Sequence, residues 1–303
     1  MHLLRSHIKK MYYKECVMQI KNVFIPVESF QIQADLYLNH NGLPFVIMAH
    51  GLGGDKSCAL DRYIKSYLEQ GYNVCCFDHR GFGKSSGKYK NLVDKTSQLK
   101  DWKAVIHYLK NEFNLTEQDF ILWGYSFSGG HVLTLASEQK YYAVIANFPH
   151  VNGLASLFKY PIQYLLPATF LALTDMCYRL FGKAKNMSVV SPKRFAVLSG
   201  KDCYDGYYSL ISENQDWDNQ VPARIILTIP FYRPIAISHR IKTPTLIIGA
   251  KQDSLIPISR TRKTAQQSEY IKYFEEDCGH FDLFHLPFIN RIQSEYSTFL
   301  QQL

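Results

Sequence analysis

Five short, almost unbroken apolar runs constrain this chain more than any other feature: residues 44–50, 72–77, 119–124, 142–147 and 243–250. Each ends in glycine or a small polar loop, and most are followed by a longer helix-like stretch such as 59–70, 95–111, 127–139 or 257–267. A strand buried on both faces reads as a continuous apolar run rather than an alternating one, because helices cover both sides of a parallel sheet. Alternation of such runs with helices therefore predicts an α/β architecture, a doubly wound and mostly parallel sheet. Two earlier runs, 19–26 and 31–38, separated by a polar turn, read as an antiparallel pair at its start. A strand over 270–275 and a closing helix over 285–303 complete the pattern.

The alternation stops between residues 151 and 240, a Tyr- and Phe-rich stretch with scattered Pro and Gly, and resumes at 243. An insertion flanked on both sides by sheet units predicts a helical cap over the sheet, so the domain reading is a core of 19–150 and 241–303 interrupted by a cap or lid of 151–240. Within it, 160–181 (YPIQYLLPATFLALTDMCYRLF) is strongly apolar, which reads as packing of the cap, as the lining of an acyl pocket, or as both.

The net charge of +8 is unevenly spread. In residues 1–21, Arg5, Lys9, Lys10, Lys14 and Lys21 stand against Glu15 alone, so half of the excess lies in this short segment, of which 1–18 is read as a basic N-terminal extension. The rest is dilute and shows no basic run interleaved with aromatics, which argues against a nucleic-acid partner. The longest uncharged apolar stretch, 160–174, falls short of a bilayer-spanning length and carries Pro161 and Pro167, so no integral membrane span is expected. Seven cysteines without a Cys-x-x-Cys pair write neither a disulfide framework nor a zinc site, and no nucleotide-binding glycine motif occurs. The expectation is a cytoplasmic protein without metal or cofactor that acts on a small molecule. The sequence leaves its oligomeric state open.

The chemistry concentrates in residues 119–130, DFILWGYSFSGG. An apolar strand runs into Gly124-Tyr125-Ser126-Phe127-Ser128 and then a helix. A serine raised on a sharp strand-to-helix turn needs small residues two places before and after it, because the backbone folds back on itself there. Gly124 and Ser128 meet that need for Ser126. Ser128, flanked by Ser126 and Gly130, meets the same rule, but glycine at the earlier position suits the strained turn better and favours Ser126. An acid and a base follow in the order this architecture uses: Asp253, just past the strand ending at Ala250, and His280, just past the strand over 270–275. A serine hydroxyl becomes a good nucleophile when an imidazole takes its proton and a carboxylate fixes that imidazole's tautomer. Asp277 and Asp282 flank the histidine in sequence, a placement that seldom directs a carboxylate at the ring, and His285 reads as the start of a helix. His50-Gly51-Leu52-Gly53-Gly54 follows a buried strand, so the amides of Leu52 and Phe127 can pair as donors to an oxyanion. A last run, 77–85, reads as structural: Asp78 and Arg80 brace loops, and His79 is a loop residue rather than a base.

These pieces (HGLGG, FDHRGFGKSSG, GYSFSGGH, GAKQDSLIP and CGHFD) resemble the α/β-hydrolase superfamily, in its serine-aminopeptidase-like and X-Pro-dipeptidyl-peptidase-like branch. The resemblance runs from about residue 20 to the C-terminus. It implies Ser126 as nucleophile, His280 as base, Asp253 as acid, Leu52 and Phe127 as oxyanion donors, and His50, Gly51, Gly53, Gly124 and Ser128 as support. The departure is Ser128, where the family more often has glycine. The expected activity is cleavage of a carboxylic ester or thioester through an acyl-enzyme, with lactones and bile-acid-type acyl groups within range. Acyl transfer by the same groups, peptidase or amidase action, and ligand binding without turnover are the alternatives. A peptidase would want a cap carboxylate for the free amine, and Asp202, Asp205, Glu213, Asp216 and Asp218 are the candidates.

Overall fold

The computed structural model describes residues 8–13, 16–39, 44–212 and 215–303, with only the backbone described for 8–13 and 16–18. Glu213, one of the candidate amine-binding carboxylates, lies outside the described residues. The order of elements is β1 (Ile8–Tyr13), β2 (Cys16–Val27), β3 (Phe30–Leu38), β4 (Phe45–Ala49), α1 (Asp61–Glu69), β5 (Asn73–Phe77), α2 (Lys95–Phe113), β6 (Phe120–Tyr125), α3 (Phe127–Glu138) and β7 (Ala143–Asn147). Then come α4 (Gly153–Leu157), α5 (Ile162–Leu180), β8 (Asn186–Ser188), α6 (Cys203–Tyr208), β9 (Gln220–Pro222) and α7 (Ile225–Thr228). The chain closes with β10 (Thr245–Ala250), α8 (Ile258–Ala265), β11 (Ile271–Glu276) and α9 (Phe288–Leu300).

Nine strands form the main sheet in the order β1-β2-β3-β5-β4-β6-β7-β10-β11. From β5 to β11 all neighbours run parallel, while β1, β2 and β3 add an antiparallel edge. The parallel strands β4, β5, β6, β7 and β10 are buried at every position, as continuous apolar runs require. Each face has its own core. Tyr63, Tyr67, Ile292 and Tyr296 of α1 and α9 pack on one side, and Trp102, Leu109, Val132 and Ala265 of α2, α3 and α8 on the other. The six cysteines whose side chains are described are free, five of them buried.

Two local differences from the sequence pattern have clear causes. The closing helix begins at Phe288, not at His285, whose backbone is extended at φ −118 and ψ 152. Pro287, which has no amide hydrogen to give, stands at the N-cap of that helix. The apolar stretch after Tyr160 forms one 19-residue helix, α5, that accommodates Pro167 in its second turn. No helix among the described residues is long and apolar enough to cross a membrane.

Between β7 and β10 the chain leaves the sheet and returns. β8 and β9 pair as a small antiparallel sheet. The buried Asp175 of α5 accepts two bonds from the Arg224 guanidinium (Nε 2.6 Å, Nη2 2.8 Å) and one from the Arg224 amide at 2.8 Å. That fork-to-carboxylate contact ties α5 to the start of α7 with fixed geometry.

Candidate active site

The site is built on carboxyl ends of neighbouring parallel strands, where a sheet of this kind opens into a crevice. Ser126 follows β6 and adopts φ +55, ψ −114 at the head of α3. A non-glycine residue with positive φ costs energy and persists only where its surroundings over-determine it. Here they do: the Ser126 amide donates to Asn147 O at 2.9 Å, and its carbonyl accepts from His150 N at 2.8 Å and Gly130 N at 3.2 Å. The fold-back is tight enough that a Cβ at Gly124 would overlap the backbone carbonyl of Ser128. Gly124 is therefore sterically obligatory.

His280 Nε2 lies 3.0 Å from Ser126 Oγ, and His280 Nδ1 lies 2.6 Å from Asp253 Oδ2. The other carboxylate oxygen, Asp253 Oδ1, accepts the amides of Leu255 at 2.8 Å and Ile256 at 2.7 Å, which locks its rotamer. An ionised carboxylate only accepts, so Nδ1 donates to Asp253 and Nε2 is left as an acceptor for the serine hydroxyl. Tyr125, immediately before the serine, donates its hydroxyl to the His280 carbonyl at 2.8 Å. Asp253 and His280 are buried, whereas Ser126 is partly exposed.

Ser128 is turned elsewhere. It donates to His50 O at 2.6 Å and lies 3.3 Å from His79 Nε2, almost wholly buried beneath the turn. Neither acid neighbour of His280 reaches its ring: Asp282 accepts from Gly279 N and Asp277 from Gln252. His285 pairs with Ser209 Oγ at 2.8 Å, away from the site.

The loop after β4 brings Leu52 beside the turn. The Leu52 and Phe127 amides donate to no other group among the described residues, and both residues border the same cavity as Ser126. Gly51 and Gly53 shape this loop. A Cβ on Gly51 would press on Ser126 Cβ at 3.2 Å, and Gly53, at φ +77, would meet Val189 at 2.7 Å. From the far side, Tyr207 donates to Leu52 O at 3.0 Å and Trp217 to Gly53 O at 2.9 Å. Sequence alone does not reveal these aromatic anchors, because a loop contact 155 residues away in sequence leaves no local signal.

Below the turn lies a group that no sequence pattern assembles: His50, His79, His131 and His150. The rings of His50, His79 and His131 meet edge to face, His50–His79 at 5.0 Å and His79–His131 at 5.7 Å between centroids, and the His150 ring stacks on Tyr232 at 5.9 Å. Burial lowers the pKa of all four, His79 and His131 furthest, and His150 falls to about 4 with His280 as the second cause. All four are neutral polar struts at neutral pH. His131, for example, bridges Tyr232 OH at 2.8 Å and Gln98 Oε1 at 3.0 Å. His150 Nε2 has no partner among the described residues, and His150 borders the cavity. Asp78 braces loops, accepting from the Lys56 amide at 2.7 Å, and Arg80 pairs with Asp101 at 2.6 Å and Glu28 at 2.6 Å.

The cavity at Ser126 opens to solvent and spans about 750 Å³ with the open space at its mouth included. It is largely apolar, with Leu157, Tyr160, Val197, Ile226 and Leu255 among its walls. Of the 160–181 run only Tyr160 lines it, so the expected pocket lining by that run is confined to its first residue. None of Asp202, Asp205, Asp216 and Asp218 borders it, whereas Lys159 does, its Nζ donating to Asp253 O at 2.6 Å.

A nine-stranded α/β sheet with a serine on a strained strand-to-helix turn defines a hydrolase-type fold. The chain belongs to the α/β-hydrolase superfamily, and residues 43–192 match the family model described as serine aminopeptidase, S33. It is 32% identical over 265 residues to quorum-quenching protein AidA of Acinetobacter baumannii (strain MDR-ZJ06), covering 86% of each chain. It is 27% identical over 117 residues to thiohydrolase aneE of Aspergillus aculeatus, covering 39% of this chain and 37% of that one. The crystal structure of the alpha/beta hydrolase GrgF from Penicillium sp. sh18 superposes with a TM-score of 0.80 at 20% identity, over 93% of this chain and 97% of that one.

Proposed function

We propose that this chain is a serine hydrolase that cleaves a carboxylic ester or thioester through an acyl-enzyme, with Ser126, His280 and Asp253 as its catalytic groups. The observation that carries the reading is the continuous path Ser126 Oγ–His280 Nε2–Asp253, at 3.0 and 2.6 Å, starting from a serine held at positive φ. The Ser126 hydroxyl attacks the acyl carbon while its proton passes to His280 Nε2. The tetrahedral oxyanion sits between the amides of Leu52 and Phe127, the latter at the N-terminus of α3 where peptide dipoles favour negative charge. The imidazolium, steadied by ionised Asp253, returns that proton to the departing alkoxide or thiolate. Water then repeats the sequence on the acyl-enzyme and restores Ser126.

Residues 151–240 act as the cap in this reading. They supply most of the apolar walls of the acyl pocket and, through Tyr207 and Trp217, hold the oxyanion loop in place. The apolar cavity suits an acyl chain, and Lys159 at its border suits a polar or anionic end of the substrate rather than the ammonium a peptidase would recognise. The thiohydrolase relative supports a thioester as one substrate class. Profiling acyl-chain length on model esters and thioesters, beside Ser126→Ala, tests the assignment. Turnover that peaks at a chain length fitting the cavity and vanishes in the variant is expected; turnover retained in Ser126→Ala overturns it.

A further inference from the structure

Helix α5 carries a row of large apolar side chains that none of the described residues covers. Ile162 is 79% exposed, Leu166 81%, Phe170 74% and Leu180 83%, and the row continues beyond both ends of the helix in Phe158 at 86% and Phe181 at 79%. At 100° per residue, positions 162, 166, 170, 173 and 180 fall within an arc of about 80°. The opposite side of the helix is the buried one, formed by Ala168, Ala172 and the ion-paired Asp175. A contiguous apolar stripe of this size on a folded surface marks a contact site.

The surrounding charge selects its occupant. Residues 151–200 hold six basic side chains, Lys159, Arg179, Lys183, Lys185, Lys193 and Arg194, and a single carboxylate, Asp175. Asp175 is buried and paired with Arg224, so this stretch exposes no carboxylate. The basic residues sit at both ends of the stripe: Arg179, Lys183 and Lys185 flank its C-terminal end, and the Lys193 carbonyl accepts the Tyr164 hydroxyl of the first helical turn at 2.7 Å. A second copy docked in either direction along the helix would set like charges against one another. An anionic lipid surface complements both features, as aliphatic and aromatic side chains enter the acyl boundary and lysines and arginines meet the headgroups.

We propose that the exposed face of α5, rimmed by these basic residues, docks the protein on anionic membrane surfaces with the helix lying in the interface plane. The stripe adjoins the cavity, because Leu157, Lys159 and Tyr160 border the cavity while Phe158 between them faces solvent. Docking therefore sets the cavity mouth against the lipid, where an acyl substrate dissolved in the bilayer can enter without crossing water. The membrane contact itself does not depend on the reaction proposed at Ser126.

Co-sedimentation with vesicles of phosphatidylcholine alone, and of phosphatidylcholine with phosphatidylglycerol, tests the proposal. Wild type should bind the anionic vesicles at least tenfold more strongly, and high salt should weaken that binding. Lys183→Glu with Lys185→Glu should cut it by about fivefold or more per residue. Leu166→Asp with Phe170→Asp should abolish it while circular dichroism and thermal midpoint stay unchanged, since both side chains are exposed. A tryptophan reporter, Phe170→Trp, should blue-shift on adding anionic vesicles. Equal binding to both vesicle types, an unshifted reporter or undiminished binding by the aspartate variants overturns the proposal. So does a wild-type dimer that binds no vesicles and dissociates in the aspartate variants, which would assign the face to a second copy.

Discussion

Tyr125 donates its hydroxyl to the backbone carbonyl of His280 at 2.8 Å, and its ring lies 5.2 Å from the imidazole. The residue that precedes Ser126 in sequence thus holds His280, the proposed base, in space. β6 and the loop after β11 are separated by β7 and β10 in the sheet, so this contact adds a backbone anchor to the side-chain contact between Ser126 and His280.

Tyr125 is a positioning residue, and its removal should show as such. Tyr125→Phe keeps the ring and removes one hydrogen bond, which is worth about 1 kcal/mol net. The expected outcome is a kcat roughly threefold to tenfold lower with KM nearly unchanged, read by steady-state kinetics on a model ester. A change in KM alone would mean that the hydroxyl serves substrate binding instead.

The strained turn makes a prediction about stability. A Cβ at Gly124 would overlap the Ser128 carbonyl, which is backbone and cannot rotate away. Gly124→Ala should lower stability by about 2–4 kcal/mol, in the range of overpacked or strained sites, and lower the yield of folded protein. Gly182, although at φ +70, has open space where a Cβ would stand, with no atom within 4 Å, so Gly182→Ala should cost less in a parallel denaturant titration.

The buried histidines beneath the turn, His50, His79, His131 and His150, should make the fold sensitive to acid. In the unfolded chain each imidazole takes up a proton near pH 6.5, whereas in the folded state burial keeps them neutral to lower pH, His150 to about 4. The unfolded state therefore binds more protons across this window. Their contribution to stability is fully present above about pH 6.5 and is lost as pH falls below it. Each imidazole changes the folding constant by up to roughly tenfold per pH unit. His131→Gln, which can still meet Gln98 or Tyr232, should make the stability of the variant less steep in pH by about one proton. An unchanged slope would show that His131 titrates alike in both states.

How much of this was legible in the sequence follows from where the physics is local. The parallel strands declare themselves because burial on both faces demands continuous apolar runs, and Ser126 stands out because a strained elbow demands Gly124 two residues earlier. Asp253 and His280 are legible because strand ends open at one edge of the sheet. The histidine cluster, the Tyr207 and Trp217 anchors and Tyr125 as a support are contacts between distant segments, without a local pattern to mark them. The outward face of α5 is a different case. Apolar residues there read as core material by composition, and only their exposure reveals an unpaired surface. At the C-terminus, Pro287 decides where α9 begins, and a periodicity that starts from His285 passes over it.

Every step proposed for the reaction depends on Ser126 as the nucleophile. The direct measurement is the intact mass of wild type and Ser126→Ala after treatment with a fluorophosphonate, followed by mapping of the modified peptide. The predicted result is one adduct per chain, located on Ser126, absent from the variant and slowed in His280→Ala. Equal labelling of wild type and Ser126→Ala, or an adduct mapped to Ser128, would contradict it.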